Sequence, residues 1–261
     1  MNLVSRLESY SHKRIAQMLS RKLVRQVPNL PIISFTFDDF PRSALKVAGA
    51  MLAERGLRGT YYASLGLMGK HSDQGEMYSA EDLRSLVEDG HELACHTFSH
   101  IYCPRVAVNE LQEECCRNRR AVAAVLGAYR LRNFSFPSGA ITWSAKSALA
   151  SIYDSCRTVE WGINRNPVDL GFLRANPLYS ELPASYAQQL IAENIKCGGW
   201  LIFYTHDVSL RPSAVGCTPN YFGAILSSAL TSGASILTIE EGVSKLQARA
   251  MRTKEMRIRR S

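Results

Sequence analysis

The sequence contains no CxxC pair and no long uninterrupted apolar stretch. Its seven cysteines are odd in number and irregularly spaced, which argues against a disulfide framework and against a zinc-finger site. The apolar segments are too short to cross a bilayer, and charged residues interrupt the first 27 positions, where a secretory signal would need an apolar core. We therefore expect a reduced, cytosolic protein in which most cysteines are small buried side chains.

Excess positive charge is confined to the two ends of the chain. Residues 1–27 and residues 249–261 each carry a net charge of +5, so the total of +8 leaves −2 for residues 28–248. This central part has no recognised nucleic-acid motif and no basic stripe with interleaved aromatics, which argues against nucleic acid as a partner. Basic ends favour contact with an anionic surface such as phospholipid headgroups.

The first 27 residues predict a basic amphipathic helix. Apolar side chains recur near helical spacing with basic side chains between them, at Leu3, Leu7, Ile15, Leu19 and Leu23. Two interpretations remain open: a helix that packs on the domain with its charges in water, or a helix at a membrane interface. The first is favoured, because an apolar stripe usually faces a core. The chain thus divides into this helix, a domain over residues 28–248 and a basic tail over residues 249–261.

From residue 28 onward, strand and helix signals alternate with few breaks. Apolar, β-branched and aromatic runs predict strands over 31–39, 58–64, 91–95, 133–136, 151–159, 200–205 and 235–239. Helices are predicted between them over 42–55, 79–88, 106–126, 144–150, 183–196 and 219–232. Such alternation implies a parallel sheet with covered faces, either open or closed into a barrel.

Polar residues able to carry catalysis follow several of these strands. His96 and His100 are four residues apart behind one strand, Asp38 and Asp39 end another, and His206 follows a third. One carboxylate and two imidazoles form a facial set of metal ligands with open coordination positions. Since the carboxyl ends of parallel strands meet at one face, we expect these five side chains to lie together. Taken singly, each could instead be an ordinary loop residue.

Four segments occur in the order and approximate spacing of a known family. TFDD, HTFSH, FSFPSG and FYTHD resemble the motifs of the NodB-homology polysaccharide deacetylases, carbohydrate esterase family 4, and the likeness runs from about residue 32 to residue 239. The resemblance implies an α/β fold, a distorted (β/α) barrel with about seven parallel strands. It also implies hydrolysis of N-acetyl groups on a saccharide with a divalent ion, zinc first, with cobalt, nickel or manganese as alternatives.

The resemblance assigns a role to each motif residue. Asp39, His96 and His100 match the metal ligands, Asp38 the general base and His206 the general acid. An ion of this kind acidifies water and polarises a carbonyl, and a charged histidine can protonate a departing amine.

The turn over residues 136–139 is the expected source of a backbone N–H for the oxyanion. Within it, Pro137, Ser138 and Gly139 are candidates for substrate contact. Trp161, in the irregular stretch after the next strand, is either a platform on which a sugar ring stacks or a packing residue.

Two motifs depart from the family pattern. Phe40 and Pro41 stand where Gly commonly follows the first motif, and Ser135 stands where the third motif often carries an arginine. The FSFPSG form resembles a branch of the superfamily with FAYPYG-like motifs. A buried base needs a charged partner, and Arg157, at the end of the next predicted strand, is our hypothetical substitute.

Three functions fit these residues. A metal-dependent de-N-acetylase acting on a glycan or glycan precursor uses every ligand and both acid–base residues. A related amidase acting on a non-sugar C–N bond would use the same residues, and residues 65–78 and 160–182 would then decide specificity. A non-catalytic glycan-binding scaffold would be favoured by the loss of a ligand or base, and none is lost.

A cytosolic location points to a soluble or lipid-linked intermediate of a cell-surface or exported saccharide, with possible contact at the inner membrane surface.

Overall fold

A curled parallel sheet forms the centre of the molecule. The computed structural model describes residues 3–25 and 31–258, with side chains over 10–25 and 31–248. The strands are β1 (Ile32–Asp38), β2 (Thr60–Ala63), β3 (Glu92–Cys95), β4 (Asn133–Ser135), β5 (Ser155–Arg157), β6 (Asn176–Pro177), β7 (Trp200–Thr205) and β8 (Ser235–Ile236). Seven strands run in the order β6-β7-β1-β2-β3-β4-β5, and β8 also pairs with β1. The predicted distorted (β/α) barrel is confirmed.

Helices follow most of the strands and cover the outside of the sheet. They are α1 (Leu3–Met18), α2 (π-helical over Ala44–Gly49 and α-helical over Ala50–Ala53), α3 (Ala80–Glu88), α4 (Val108–Leu126), α5 (Trp143–Ile152), α6 (Ala184–Cys197), α7 (Pro219–Thr231) and α8 (Ile239–Ile258). None of these, within the described ranges, is both long enough and apolar enough to span a bilayer.

Two strand predictions were wrong in extent. The strand predicted over 151–159 covers only Ser155–Arg157, because α5 continues to Ile152. The strand predicted over 235–239 stops at Ile236, because Ile239 already begins α8. At both junctions apolar residues continue from one element into the next, so hydrophobicity alone did not separate helix from strand.

The alternation of side chains along β1 divides the core into two parts. Ile33, Phe35 and Phe37 point outward into the apolar layer beneath the helices. Ile32 points inward, into the barrel interior. Thr36 has the same parity and donates its hydroxyl to the Phe203 carbonyl across the sheet. Asp38 therefore also belongs to the inward series, which directs its carboxylate into the barrel at the carboxyl end of the strand.

A polar network closes the opposite end of the barrel. The buried Glu92 carboxylate accepts hydrogen bonds from the Thr60 hydroxyl at 2.8 Å and the Asn133 amide at 2.7 Å. It also accepts from the backbone N–H of Glu240 in the first turn of α8. A carboxylate beside unsatisfied N–H groups stabilises a helix N-terminus. This network holds α8 across the floor of the barrel.

Local sequence signals mark both ends of α3. Ser79 and Asp82 form a reciprocal capping box at its N-terminus. Gly90, just beyond its C-terminus, has φ +78°, a conformation in which a residue with a Cβ is strained.

The cysteines behave largely as small apolar side chains. All seven are free thiols. Five are buried, Cys116 is half-buried and Cys197 is exposed. Cys95, next to His96, points away from it toward α4, where its sulfur accepts from the Asn118 amide.

The N-terminal segment is integrated into the domain. The predicted helix over 1–27 ends at Met18, and Leu23–Val24 pairs antiparallel with Val168–Asp169. The fully buried Lys146 ammonium donates to the carbonyl oxygens of Ala16 and Leu19, the last turn of α1. A cation on these otherwise unsatisfied carbonyls fixes the end of the helix on α5. For the predicted basic tail over 249–261, only the helical backbone to Ile258 lies within the described residues.

His91 matches no motif and has a structural role in the fold. The Gly59 N–H donates a hydrogen bond to its Nδ1 at 3.0 Å. Burial lowers the pKa of His91 to about 4, so the ring is neutral in the folded protein at pH 7.

We expect His91 to make the fold acid-sensitive. Between pH 6.5 and 4 the unfolded chain binds a proton that the folded chain does not, so stability is present above pH 6.5 and falls by up to ~3 kcal/mol as the pH drops. Urea unfolding of wild type and His91→Gln at several pH values measures this, since the Gln amide oxygen can accept from Gly59 but does not titrate. Parallel pH dependences for the two proteins would contradict the prediction.

Candidate metal-dependent active site

The carboxyl ends of the strands bring the predicted site residues to one face of the barrel. Asp38 and Asp39 lie at the end of β1, His96 follows β3, and His206 follows β7. His100 closes the turn after His96. In a parallel barrel this is the face where loops and strand ends form active sites. The geometry of each residue shows what the site can do.

Asp39, His96 and His100 form a compact cluster of potential ligands. One ligand atom from each lies within 4.8 Å of the other two. The Nε2 atoms of His96 and His100 are 3.7 Å and 3.2 Å from Asp39 Oδ1. That oxygen is buried and accepts no hydrogen bond within the described part of the chain. A buried carboxylate oxygen facing two imidazole nitrogens fits a divalent ion of the zinc type.

The orientation of His96 supports metal binding. Its Nδ1–H donates to the Ser135 carbonyl oxygen at 2.8 Å, which leaves the Nε2 lone pair directed at the cluster. Burial lowers the pKa of His96 to about 4, despite the attraction of Asp38. The ring is therefore neutral near pH 7, the state a metal ligand needs.

Backbone strain is concentrated at this site. Among the described non-glycine residues, six have a positive φ; four of them belong to the motifs, Asp39, Thr97, His100 and Ser138, and Phe40 directly follows the first motif. A left-handed conformation is unfavourable for a residue with a Cβ and persists only where the surroundings hold it. The turns that aim the ligands are thus set by tertiary packing.

Phe40 shows how this packing replaces a glycine. Its φ is +61°, a value that glycine adopts without strain, which accounts for the glycine that commonly stands here. Its fully buried ring stacks on Tyr78 with centroids 4.7 Å apart and contacts Tyr61 at 4.9 Å. Aromatic burial of this extent offsets the backbone strain.

Arg157 lies against the candidate base. Its Nη2 donates both to Asp38 Oδ1 and to the Ser135 hydroxyl, and all three side chains are buried. Burial by itself would raise the pKa of Asp38, but the charge and hydrogen bond of Arg157 lower it below the ordinary value. Asp38 is therefore ionised at neutral pH, as a base must be. The register that pairs Ser135 with Arg157 explains why Ser135 is small: the arginine from β5 occupies the space beside it.

Two tyrosine rings enclose the Arg157 guanidinium. Its carbon lies 4.9 Å from the ring centre of Tyr62 and 5.2 Å from that of Tyr204. Tyr62 faces Asp38 across the β1–β2 register, so both rings belong to the inward series of the barrel. Cation–π contacts in a buried site hold the guanidinium in one orientation. Neither tyrosine was among the predicted site residues. The alternation of side chains along each strand could have suggested them, because both point into the barrel near the end of a strand.

His206 approaches the cluster from the opposite side. Its Nε2 lies 4.0 Å from Asp39 Oδ2, and its Nδ1–H donates to the Val215 carbonyl at 3.2 Å. Nε2 is thus the nitrogen that faces the site. The neighbouring Asp207 accepts hydrogen bonds from the Ser213 backbone N–H and hydroxyl, so its carboxylate stabilises the turn after β7.

The turn at residues 136–139 leaves one backbone donor free. The Phe136 N–H is taken by the Arg157 carbonyl and the Gly139 N–H by the Phe136 carbonyl, while Pro137 has no N–H. Ser138 is exposed, and its N–H has no acceptor within the described residues. The turn also excludes a larger residue at Gly139, since an added Cβ would lie 2.0 Å from Val159 Cγ2.

Trp161 does not join the cluster of catalytic candidates. Its half-exposed ring packs on Tyr186 of α6, with centroids 5.5 Å apart. In this structure, the contact that Trp161 makes is therefore a packing contact with α6.

Gln74 reaches the site from a loop that contains none of the four motifs. The hairpin of His71–Ser72 and Gly75–Glu76 places the Gln74 Nε2 3.3 Å from Asp39 Oδ2. Gln74 also lines a cavity of about 620 Å³, together with Arg42, Asp207 and Arg211, but none of the five motif residues of the site lines that cavity.

A carboxylate and two histidines that could hold a divalent ion lie beside an ionised buried aspartate at the carboxyl face of a parallel barrel. This arrangement suits the hydrolysis of an amide or ester bond.

Residues 25–152 match the sequence model of the polysaccharide deacetylase family. This match covers 128 of the 261 residues, just under half of the chain, and places that segment in the family. A search of curated proteins found no match.

Solved structures give the same fold at low identity. The chitin deacetylase of the fungal pathogen Colletotrichum lindemuthianum is 14% identical, with a TM-score of 0.60 over 84% of this chain and 89% of that one. The Xyl-CE4 domain of a multidomain xylanase from the hindgut metagenome of Trinervitermes trinervoides is 17% identical, with a TM-score of 0.54 over 82% and 89%. A CE4 family pseudoenzyme from Bacillus anthracis is 11% identical, with a TM-score of 0.57 over 85% and 68%. The likeness extends well beyond the segment matched by the family.

Proposed function

We propose that this protein is a metal-dependent de-N-acetylase that hydrolyses N-acetyl groups of amino sugars in a glycan or glycan precursor. The observation that carries the proposal is the ionised Asp38–Arg157 pair beside the Asp39, His96 and His100 cluster. A retained base next to a retained ligand set argues for catalysis rather than for a binding scaffold, although the fold also occurs in a pseudoenzyme.

The residues divide the chemistry among them. Asp39, His96 and His100 would hold a divalent ion, zinc first, which supplies Lewis acidity toward the acetamide carbonyl and toward water. Asp38 removes a proton from the water as its oxygen forms a bond to the carbonyl carbon. Arg157 keeps Asp38 ionised and fixes its direction. The Ser138 N–H donates to the carbonyl oxygen as negative charge develops there.

Cleavage of the C–N bond requires a second proton transfer. An amine is a poor leaving group unless its nitrogen is protonated as the bond breaks. His206 Nε2 faces the cluster, and a charged His206 gives its proton to that nitrogen. The products are acetate and a free amino sugar. The Val215 carbonyl, which accepts from Nδ1, stabilises the charged ring before the transfer.

The cellular setting follows from sequence features and is likewise a proposal. We place the protein in the cytoplasm, where its substrate would be a soluble or lipid-linked intermediate of a cell-surface or exported saccharide. This setting is supported by the free cysteines, all seven of which are thiols in the structure.

The test is acetate release from N-acetylglucosamine oligomers of several lengths. Protein stripped of metal is expected to be inactive and to regain activity with one equivalent of zinc, with cobalt, nickel and manganese compared alongside. The metal stoichiometry should fall below one in His96→Ala, with His91→Gln as a matched control outside the cluster. Stoichiometric metal binding without acetate release from any oligomer would reject this substrate class and favour the related amidase. No metal binding at all would reject the ligand assignment.

A further inference from the structure

Exposed apolar side chains are concentrated at the N-terminal segment. Of the nine large hydrophobic residues that are exposed in the described part of the chain, five lie between residues 10 and 23: Tyr10, Ile15, Met18, Leu19 and Leu23. Met18 is 75% exposed. Single exposed apolar residues are normal on a protein surface, but a group of this kind marks an interaction site.

The exposed apolar side chains described for α1 face away from the domain. Ala16 is buried and Lys13 pairs with Glu160, so these residues mark the side that packs on the domain. At 100° per residue, Ile15 and Met18 lie on the opposite side of the helix. Of the predicted stripe, Ile15, Leu19 and Leu23 are exposed, and the side chains of Leu3 and Leu7 lie outside the described residues.

This outward side is held rigidly. Lys146 binds the last carbonyls of α1, and the Trp143 indole N–H donates to the Ser20 hydroxyl at 2.9 Å. Beyond the helix, the Lys22 ammonium donates to the carbonyls of Ala150 and Tyr153. Its exposed apolar groups are thus presented on a fixed surface.

Uncompensated positive charge surrounds these apolar groups. Residues 10–25 contain no aspartate or glutamate. Arg14, Arg21 and Arg25 are exposed, and within the described residues none of them has an ion-pair partner. A small cavity beside Arg21 adds no free charge, because its other arginines, Arg165 and Arg174, pair with Glu193 and Glu160 and because Asp169 also lines it.

We propose that this surface docks the protein on an anionic phospholipid bilayer. The α1 face, defined as Ile15, Met18, Leu19 and Leu23 with Arg14, Arg21 and Arg25, places its apolar groups among the acyl chains near the headgroups and its arginines on lipid phosphates. Apolar insertion combined with arginine–phosphate contact is the pattern of an interfacial helix. Two copies of this chain that met through this same face would bring their arginines together without a carboxylate between them, since residues 10–25 contain none. The inference does not depend on the proposed activity.

The test is co-sedimentation of the full chain with vesicles of mixed phosphatidylglycerol and phosphatidylcholine. Wild type is expected to bind, and binding should weaken about fivefold for each arginine removed, or on the order of a hundredfold in the triple variant R14Q/R21Q/R25Q. The variant M18S/L19S should also lose most binding. Matched controls are R55Q/R84Q/R120Q and L210S/L230S, which remove exposed arginines and apolar residues elsewhere and should bind like wild type. Acetate release from a soluble substrate should be the same in all of them.

Several results would overturn the proposal. One is equal binding to vesicles of phosphatidylcholine alone, and another is binding that the α1-face variants and their controls lose equally. Release from the vesicles by millimolar inorganic phosphate would mean that a soluble phosphate ligand is bound instead. A dimer in solution that M18S/L19S dissociates would show that a second copy covers the face.

Discussion

Replacing Asp38 by Asn is expected to lower kcat for acetate release by about 10²–10⁴-fold, the usual contribution of a general base. Asn keeps the size of the side chain but cannot accept the proton of the attacking water. KM and metal stoichiometry should change little, because Asp38 lies beside the ligand cluster and is not part of it. The measurement is steady-state acetate release with zinc-loaded protein.

Asp207→Asn is the matched control for Asp38→Asn. Asp207 neighbours His206 and lines the cavity beside Gln74, but its carboxylate is engaged by Ser213. We expect this variant to retain kcat within a few-fold. A loss below tenfold in Asp38→Asn, with folding intact by circular dichroism, would remove Asp38 from the role of base.

Arg157→Ala is expected to reduce turnover and to move the acidic limb of the pH profile of kcat/KM toward higher pH. Burial raises the pKa of Asp38 and Arg157 lowers it, so without the arginine more of the base is protonated at a given pH. The same change leaves a buried carboxylate without its cation, which destabilises the fold by about 3–5 kcal/mol. Urea unfolding gives the stability, and the rate profile from pH 5 to 9 gives the catalytic effect.

Two further variants, Arg157→Lys and Ser135→Ala, distinguish the effect of the Arg157 charge from the effect of its position beside Asp38. Lysine keeps the cation but lacks the planar fork that lies between Tyr62 and Tyr204, so it should restore part of the pH profile and little of kcat. Ser135→Ala removes only one acceptor of Arg157 and should have a small effect. If Arg157→Ala leaves turnover and its pH dependence unchanged, Arg157 does not position the base.

Most of the elements could be predicted because their signals are local. The apolar runs of β1 and β7 and the capping box of α3 depend on neighbouring residues alone. The junctions at Ile152 and Ile239 could not be placed, since a buried helix end and a buried strand start have the same composition. α8 as a closing helix was missed because its anchor, Glu92, lies far away in sequence.

The departures at Phe40 and Ser135 have tertiary explanations. The left-handed backbone conformation of Phe40 is locally unfavourable, and the stacking of its ring on Tyr78 offsets that cost. The third motif lacks its usual arginine, and Arg157 from the next strand takes its place beside Asp38. This contact depends on the register that pairs Ser135 with Arg157. Gln74 had no local signal, since only the fold brings its hairpin over Asp39.

The sequence by itself determined the alternation of strands and helices, the barrel class and the set of polar residues at strand ends. These follow from periodicity and from the fact that parallel strands end at one face. Only the tertiary structure decided which atoms meet, namely the two imidazole nitrogens on Asp39 Oδ1 and the guanidinium on Asp38, and that Ile15 and Met18 of α1 face outward. Such contacts depend on register, on turn conformation and on packing between residues far apart in the sequence, and local preferences do not encode them.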